Sequence, residues 1–153
     1  QALCKAQGVP VLLHALPGRN DTVRLGLSAL LAQHPELTGC MFLPGDQPLL
    51  RRATVDQLLT AFAQTQKETE RVIFRLGAPA GNGPDPLVGS PVLFSNGFFP
   101  ELLTLPEGKG GSVLLHKYPT LVHTACIAQP EELADTDTPA ALAQLEALVR
   151  KKG

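Results

Sequence analysis

The feature that most constrains this chain is a regular alternation of short apolar runs with stretches of helical periodicity. Val9-Pro10-Val11-Leu12-Leu13 is rich in β-formers, and a Pro17-Gly18 turn follows it, then Asp21-Thr22, either of which can cap a helix. From Val23 the apolar residues Val23, Leu27, Leu30 and Leu31 fall at helical spacing as far as His34-Pro35, where the proline stops the helix. Cys40-Met41-Phe42-Leu43 is a continuous apolar run of the kind that buried parallel strands show. Pro44 to Pro48 is loop, and Val55 to Phe62 is amphipathic helix. Arg71-Val72-Ile73-Phe74 predicts another strand, Gly77 to Gly89 a long exposed loop, and Pro91-Val92-Leu93-Phe94 a further strand. Helices at Phe98 to Leu105 and Ser112 to Lys117, a strand at Leu121 to Ile127 and a helix from Thr138 complete the series. This order predicts an α/β domain of three layers, a mostly parallel sheet with helices on both faces.

At 153 residues and 44% hydrophobic content the chain suits one domain, 1–153, with a sizeable core. Lys plus Arg number 13 against 14 Asp plus Glu, so no global field favours nucleic acid or an anionic membrane. Neither is expected as a partner, and any anionic ligand must be held by local groups. No apolar run reaches the roughly 18 to 20 residues of a spanning helix, and Gln1 to Lys5 lack the basic-then-apolar order of a signal peptide. A cytoplasmic protein is the expectation. Cys4, Cys40 and Cys126 are an odd, widely spaced set that fits reduced thiols better than a disulfide framework.

In open α/β sheets ligands bind beyond the carboxyl ends of the strands, so polar residues directly after an apolar run come first. Asp46 follows Met41-Phe42-Leu43 through a Pro-Gly bend and precedes Gln47-Pro48. A carboxylate so placed suits Mg2+, which takes one or two protein carboxylates and otherwise binds phosphate oxygens and water. It equally suits an Asp that merely opens a β-turn. An apolar strand ending in Asp also occurs in P-loop NTPases, but no Gly-x-x-x-x-Gly-Lys-Ser/Thr stretch accompanies it, and Gly108-Lys109-Gly110-Gly111-Ser112 has the wrong spacing. A second acidic cluster, Asp135-Thr136-Asp137-Thr138-Pro139, enters the last helix. Thr138 or Asp137 makes an N-cap before a first-turn proline, which leaves another carboxylate, Asp135, free to join Asp46 around a metal if the two strand tips meet. The four histidines are scattered without metal-ligand spacing, and no Gly-x-Ser-x-Gly elbow or linked Cys-His motif suggests a covalent nucleophile.

Four segments together resemble the MobA-like nucleotidyltransferases, and within them the molybdenum cofactor cytidylyltransferases. They are Gly45-Asp46-Gln47-Pro48-Leu49-Leu50 with Val55-Asp56; Gly89-Ser90-Pro91-Val92-Leu93-Phe94; Phe99-Pro100-Glu101-Leu102-Leu103 with Gly108-Lys109-Gly110-Gly111; and Asp135-Thr136-Asp137-Thr138-Pro139. The resemblance implies a nucleotide-diphospho-sugar transferase-like, Rossmann-like fold and Mg2+-dependent transfer of CMP, or GMP, from CTP or GTP to the terminal phosphate of molybdopterin. By the same resemblance Asp46 would hold the Mg2+ with Asp135 or Asp137 completing its coordination, and Gly45 and Gln47 would flank it. Gly18 to Leu27 would read the base through Thr22, unless Thr22 or Asp21 only caps the helix. Gly89 and Ser90 would line the cofactor side, and Lys109 with Gly110 would meet the terminal phosphate of molybdopterin. A molybdoenzyme or its maturation chaperone would be a protein partner.

Family members open on a strand, a glycine-rich loop ending in Arg-Met-Gly, and a lysine, and this chain carries none of these. Gln1 to Gly8 reads as the end of a helix, so the expectation is a domain short of its first strand, its glycine-rich loop and most of the following helical region, and inactive by itself. A noncatalytic molybdenum-cofactor or nucleotide-binding maturation protein on the same fold is the alternative.

Overall fold

Apolar side chains that alternate along the strands feed two cores, one on each side of a single sheet. The computed structural model describes residues 2–79 and 86–152. In chain order these form α1 (Ala2–Ala6), α2 (Arg19–Gln33), β1 (Gly39–Phe42), α3 (Arg52–Thr65), β2 (Ile73–Ala78), β3 (Leu87–Ser95), α4 (Phe99–Leu103), α5 (Ser112–Lys117), β4 (Val122–Cys126) and α6 (Pro139–Lys152). Single 3-10 turns lie at Asn96–Phe98, Pro119–Leu121 and Pro130–Leu133. Leu27 of α2, Leu102 of α4 and Leu114 of α5 pack with Cys40, Ile73 and Phe94 on one face of the sheet. Leu58 and Phe62 of α3 pack with Phe74, Leu76 and Leu93 on the other, so the expected three layers are present. Among the described residues no helix is long and apolar enough to cross a membrane. All three cysteines are free.

The strand order is β1-β3-β2-β4. β1, β2 and β4 run in one direction, as a mostly parallel sheet requires, but β3 is reversed and lies between β1 and β2, so only the β2–β4 ladder is parallel. The connection from β2 to β3, residues 79–86, is shorter than the dozen or more residues of a parallel crossover, and the chain must turn back on itself. The loop expected over Gly77 to Gly89 is correspondingly narrower: Gly77 and Ala78 finish β2, Leu87 to Gly89 begin β3, and residues 80–85 lie outside the described residues. Val9 to Leu13 does not form the expected strand. No described strand lies at the open edge of β1 to pair with it, and Val9, Val11, Leu12 and Leu13 are 46–68% exposed. β-forming side chains make a strand only where a neighbour supplies the ladder. α2 begins at Arg19 with Gly18 at its N-cap, so neither Asp21 nor Thr22 is the cap; Asp21 instead accepts the Gly18 N–H at 3.3 Å from the first turn. At α6 the hydroxyl of Thr138 accepts the Ala141 N–H at 3.1 Å, which makes Thr138 the capping residue.

Glu101 ties together the end of the sheet where β2 starts. Its carboxylate accepts from Tyr118 Oη, from Lys117 Nζ at 3.1 Å and from the Arg71 guanidinium, which itself lies over the rings of Phe98 and Tyr118 at 4.3 and 4.8 Å. Burial opposes ionisation of Glu101, yet the hydrogen bonds from Tyr118 and Lys117 and the positive charges of Arg71 and Lys117 outweigh it and hold the carboxyl below its ordinary 4.5. A carboxyl depressed in the folded state adds stability above its unfolded value and loses it as pH falls through the folded one. The urea midpoint of the protein is therefore expected to drop as pH is lowered below about 4.5, and Glu101→Gln to flatten part of that dependence. Phe94, 1% exposed and edge-on to Phe42 and Phe98, anchors the first core. Phe94→Ala should cost about 3–5 kcal/mol in the same titration.

Candidate functional site

Because β1 and β4 point the same way, the chain leaves both at the same end of the sheet. After β1, Leu43-Pro44-Gly45 turns the backbone out and Asp46 begins the return to α3. After β4 the Pro130–Leu133 turn brings residues 134–137 across the Asp46 loop. Thr136 donates twice to the backbone carbonyl of Asp46, from N–H at 3.0 Å and from Oγ1 at 3.1 Å, and Gln47 Nε2 donates to the Leu133 carbonyl at 3.5 Å. The two acidic strand tips thus meet through residues 90 positions apart.

Asp46, Asp135 and Asp137 crowd together there. A hydrogen bond with Asp46, then the negative charges of Asp135 and Asp46, push the Asp137 carboxyl up from its ordinary 3.8. Asp46 Oδ1 and Gln47 Oε1 are buried without a hydrogen-bond partner. Crowded carboxylates and an orphaned carboxylate oxygen suit a hard divalent cation, which relieves both. Among the described residues no group of three or more His, Cys, Asp or Glu side chains could hold a metal ion by itself. Asp46 and Asp135 are the carboxylates that could hold a divalent cation, with Asp137 beside them.

A second carboxylate stands behind this surface. Glu132 is 1% exposed, and its oxygens accept from Arg51 N–H at 3.2 Å, Arg51 Nε at 2.9 Å, an Arg51 terminal nitrogen at 2.6 Å and Thr54 Oγ1 at 2.5 Å. Desolvation raises its pKa, but the bonds from Arg51 and Thr54 and the Arg51 charge prevail and hold it low.

The Asp46 turn also borders a cavity of about 300 Å³ between α2, the ends of β1 and β3, and α5. Val23, Phe42, Pro44, Ser90, Gly111 and Ser112 line it, so the start of α2, the first acidic tip, the Gly-Ser-Pro strand and the glycine loop, all singled out in the sequence, each contribute a wall. Ser90 reaches it because the β2–β3 ladder steps from Arg75 opposite Val92 to Leu76 opposite Gly89, leaving Ser90 and Pro91 as a bulge. Proline has no N–H to give that ladder, and bulges re-aim side chains beside functional sites. At Gly111 a Cβ would come within 3.1 Å of the Phe94 ring, a tight contact that the ring could admit only by giving way a few tenths of an ångström.

The other expected site residues fall around this centre. Thr22 is exposed and its Oγ1 lies 3.1 Å from His14 Nε2. Lys109 is exposed on a loop whose Gly108 N–H donates to Asn20 Oδ1 at 2.9 Å, and a Cβ on Gly110 would lie 3.9 Å from the Arg19 side chain. Thr22, Lys109 and Gly110 therefore gather at the start of α2. Gly45 lies in the open turn, where a Cβ would meet nothing within 4 Å. Gly89 turns its bare side to Leu133, 3.5 Å from a built Cβ, and not to the cavity. Sequence reasoning missed Arg51, Thr54, Glu132 and Thr136. Nothing in the spacing of Glu131-Glu132 or Arg51-Arg52 distinguishes a buried latch from a solvated surface pair.

A model of the MobA-like NTP transferase domain matches residues 1–124. No curated protein sequence matches significantly. Among solved structures the chain is similar to Rv0371c from Mycobacterium tuberculosis H37Rv, at 24% identity and a TM-score of 0.72, covering 94% of this chain and 70% of that one. It is similar also to a manganese complex of Rv0371c, at 22% identity and a TM-score of 0.63, covering 94% and 73%. A third is a CMP:2-keto-3-deoxy-manno-octonic acid synthetase complexed with CTP, at 15% identity and a TM-score of 0.67, covering 99% and 77%. At these identities the structures establish the shared α/β fold, and the family match, over most of the chain, establishes the rest: this protein belongs to the MobA-like NTP transferase domain family, the nucleotidyltransferases to which its four motifs point.

Proposed function

We propose that the protein transfers CMP from CTP to the terminal phosphate of molybdopterin in a Mg2+-dependent reaction, with GTP as the alternative donor, in the cytoplasm. The observation that carries this reading is the meeting of the two acidic strand tips, where Thr136 donates twice to Asp46 and leaves Asp46 Oδ1 unpartnered. In the reaction an oxygen of the acceptor phosphate attacks the α-phosphorus in line, the bond from that phosphorus to the bridging oxygen breaks, and pyrophosphate leaves. A divalent cation at Asp46 and Asp135 would neutralise the negative charge on the phosphates. The chain's own part is positioning. Asp46, with Gly45 and Gln47 beside it, fixes the donor end; Thr22 at the start of α2 is on the base side; Ser90, on the cavity wall, is on the acceptor side, with Gly89 before it in the strand; Lys109 and Gly110 offer a cation and backbone N–H groups to a phosphate. The product would pass to a molybdoenzyme or its maturation chaperone.

The manganese complex and the CTP complex among the similar folds support the cation and donor parts of the reading. Calorimetric titration of Mg-CTP and Mg-GTP into the protein and into Asp46→Ala tests it. CTP binding that requires Mg2+ and weakens at least about ten-fold in the variant is expected. Well-folded protein that takes up neither nucleotide, with or without Mg2+, would leave a noncatalytic molybdenum-cofactor carrier as the better reading.

A further inference from the structure

Glu132 is three residues before Asp135, and its partners Arg51 and Thr54 open α3, the helix that follows the Asp46 turn. The hydrogen bonds of its carboxylate go to those two residues, across 78 to 81 positions of sequence. A carboxylate this deeply buried is a poor way to gain stability, because desolvation offsets most of the attraction of an ion pair. What it does supply is direction: the Arg51 fork and the Thr54 hydroxyl admit one placement of the carboxylate, and both carry the start of α3 with them. Thr136 to Asp46 and Gln47 to Leu133, part-buried at the same junction, join loop to loop and fix no helix.

We infer that Glu132 is a positioning residue for nucleotidyl transfer, a buried latch with Arg51 and Thr54 that sets the separation of Asp46 and Asp135 and so the affinity of the site for its divalent cation. This rests on the reading that those two carboxylates hold the cation. Groups that orient metal-binding side chains without touching the metal are worth about ten- to a hundred-fold in metal affinity. A residue that served folding alone would change stability and leave cation affinity where it was.

The test is titration of Mn2+ in the presence of CTP, followed by the electron paramagnetic resonance signal of the free ion, with urea stability measured on the same samples. Glu132→Gln should weaken Mn2+ binding by about ten-fold. Thr54→Val, which removes one of the bonds and is the milder change, should weaken it by roughly three-fold. Glu101→Gln, which breaks a similar carboxylate cluster at the opposite end of the sheet, should lower stability and leave Mn2+ binding unchanged. Wild-type binding that neither Glu132→Gln nor Thr54→Val weakens, or that Glu101→Gln weakens as much for the same loss of stability, overturns the latch and leaves the metal reading standing. Wild-type protein that binds no Mn2+ with CTP overturns both.

Discussion

β3 runs against its neighbours, and because it lies between β1 and β2 both of their ladders depend on it. Its side chains also supply both cores, Val92 and Phe94 on the face covered by α2, α4 and α5, and Leu93 on the face covered by α3. The reversal has a consequence at the site. β3 begins at the end where β1 and β2 finish, so its first residues, not its last, stand among the strand tips. The bulge at Ser90-Pro91 occurs there, and it takes a serine out of the ladder and puts it on the wall of the cavity.

The two ends of the sheet are both closed by a carboxylate, with opposite charge balance. At the end where β2 starts, Glu101 meets two cations and a phenol, and its charge is answered. At the end of the strand tips, Glu132 is answered by Arg51 and Thr54, but Asp46, Asp135 and Asp137 in front of it are not, and the hydrogen bond with Asp46 and the charges of Asp135 and Asp46 push the Asp137 carboxyl up. Folding alone gives no reason to gather unanswered carboxylates at one end and none at the other. Net charge near balance across the chain makes this a local feature. Strain of this kind, concentrated where loops converge, marks the end built to receive something.

Much of this was legible in the sequence. The apolar runs at Cys40 to Leu43 and Pro91 to Phe94 are strands, and the spacing from Val23 to Leu31 and from Val55 to Phe62 gives α2 and α3. The two acidic tips could each be named from a local cue, an Asp after a Pro-Gly bend and an Asp-x-Asp-Thr-Pro before a helix, but that they meet is a contact between distant residues. What escaped was decided by contacts between distant residues. The direction of β3 depends on the length of its connection, which hydrophobic pattern does not encode. Val9 to Leu13 has the composition of a strand but no partner among the described residues. Glu132 looks like half of a surface pair with Glu131 until Arg51, 81 positions away, arrives beside it. Gly18, not the better-capping Asp21 or Thr22, starts α2, because Asp21 serves the helix equally well from inside its first turn.

The cavity adds a physical reason for the site to lie where it does. Its walls are mostly apolar, with Val23, Phe42, Val92 and Phe94 among them, and the Asp46 turn forms its rim through Pro44. Charges at such a rim are screened by water on one side only, so they act on a bound phosphate more strongly than they would on an open surface. At the start of α2 the loop that carries Lys109 is held by the hydrogen bond from the Gly108 N–H to Asn20 Oδ1. On the proposed reading the donor's phosphates are met through a cation by the carboxylates, while the lysine loop offers its charge to the acceptor's terminal phosphate. The distance between them is set by the packing of α2 and α5 on β3, which returns the chemistry of the site to the reversed strand beneath it.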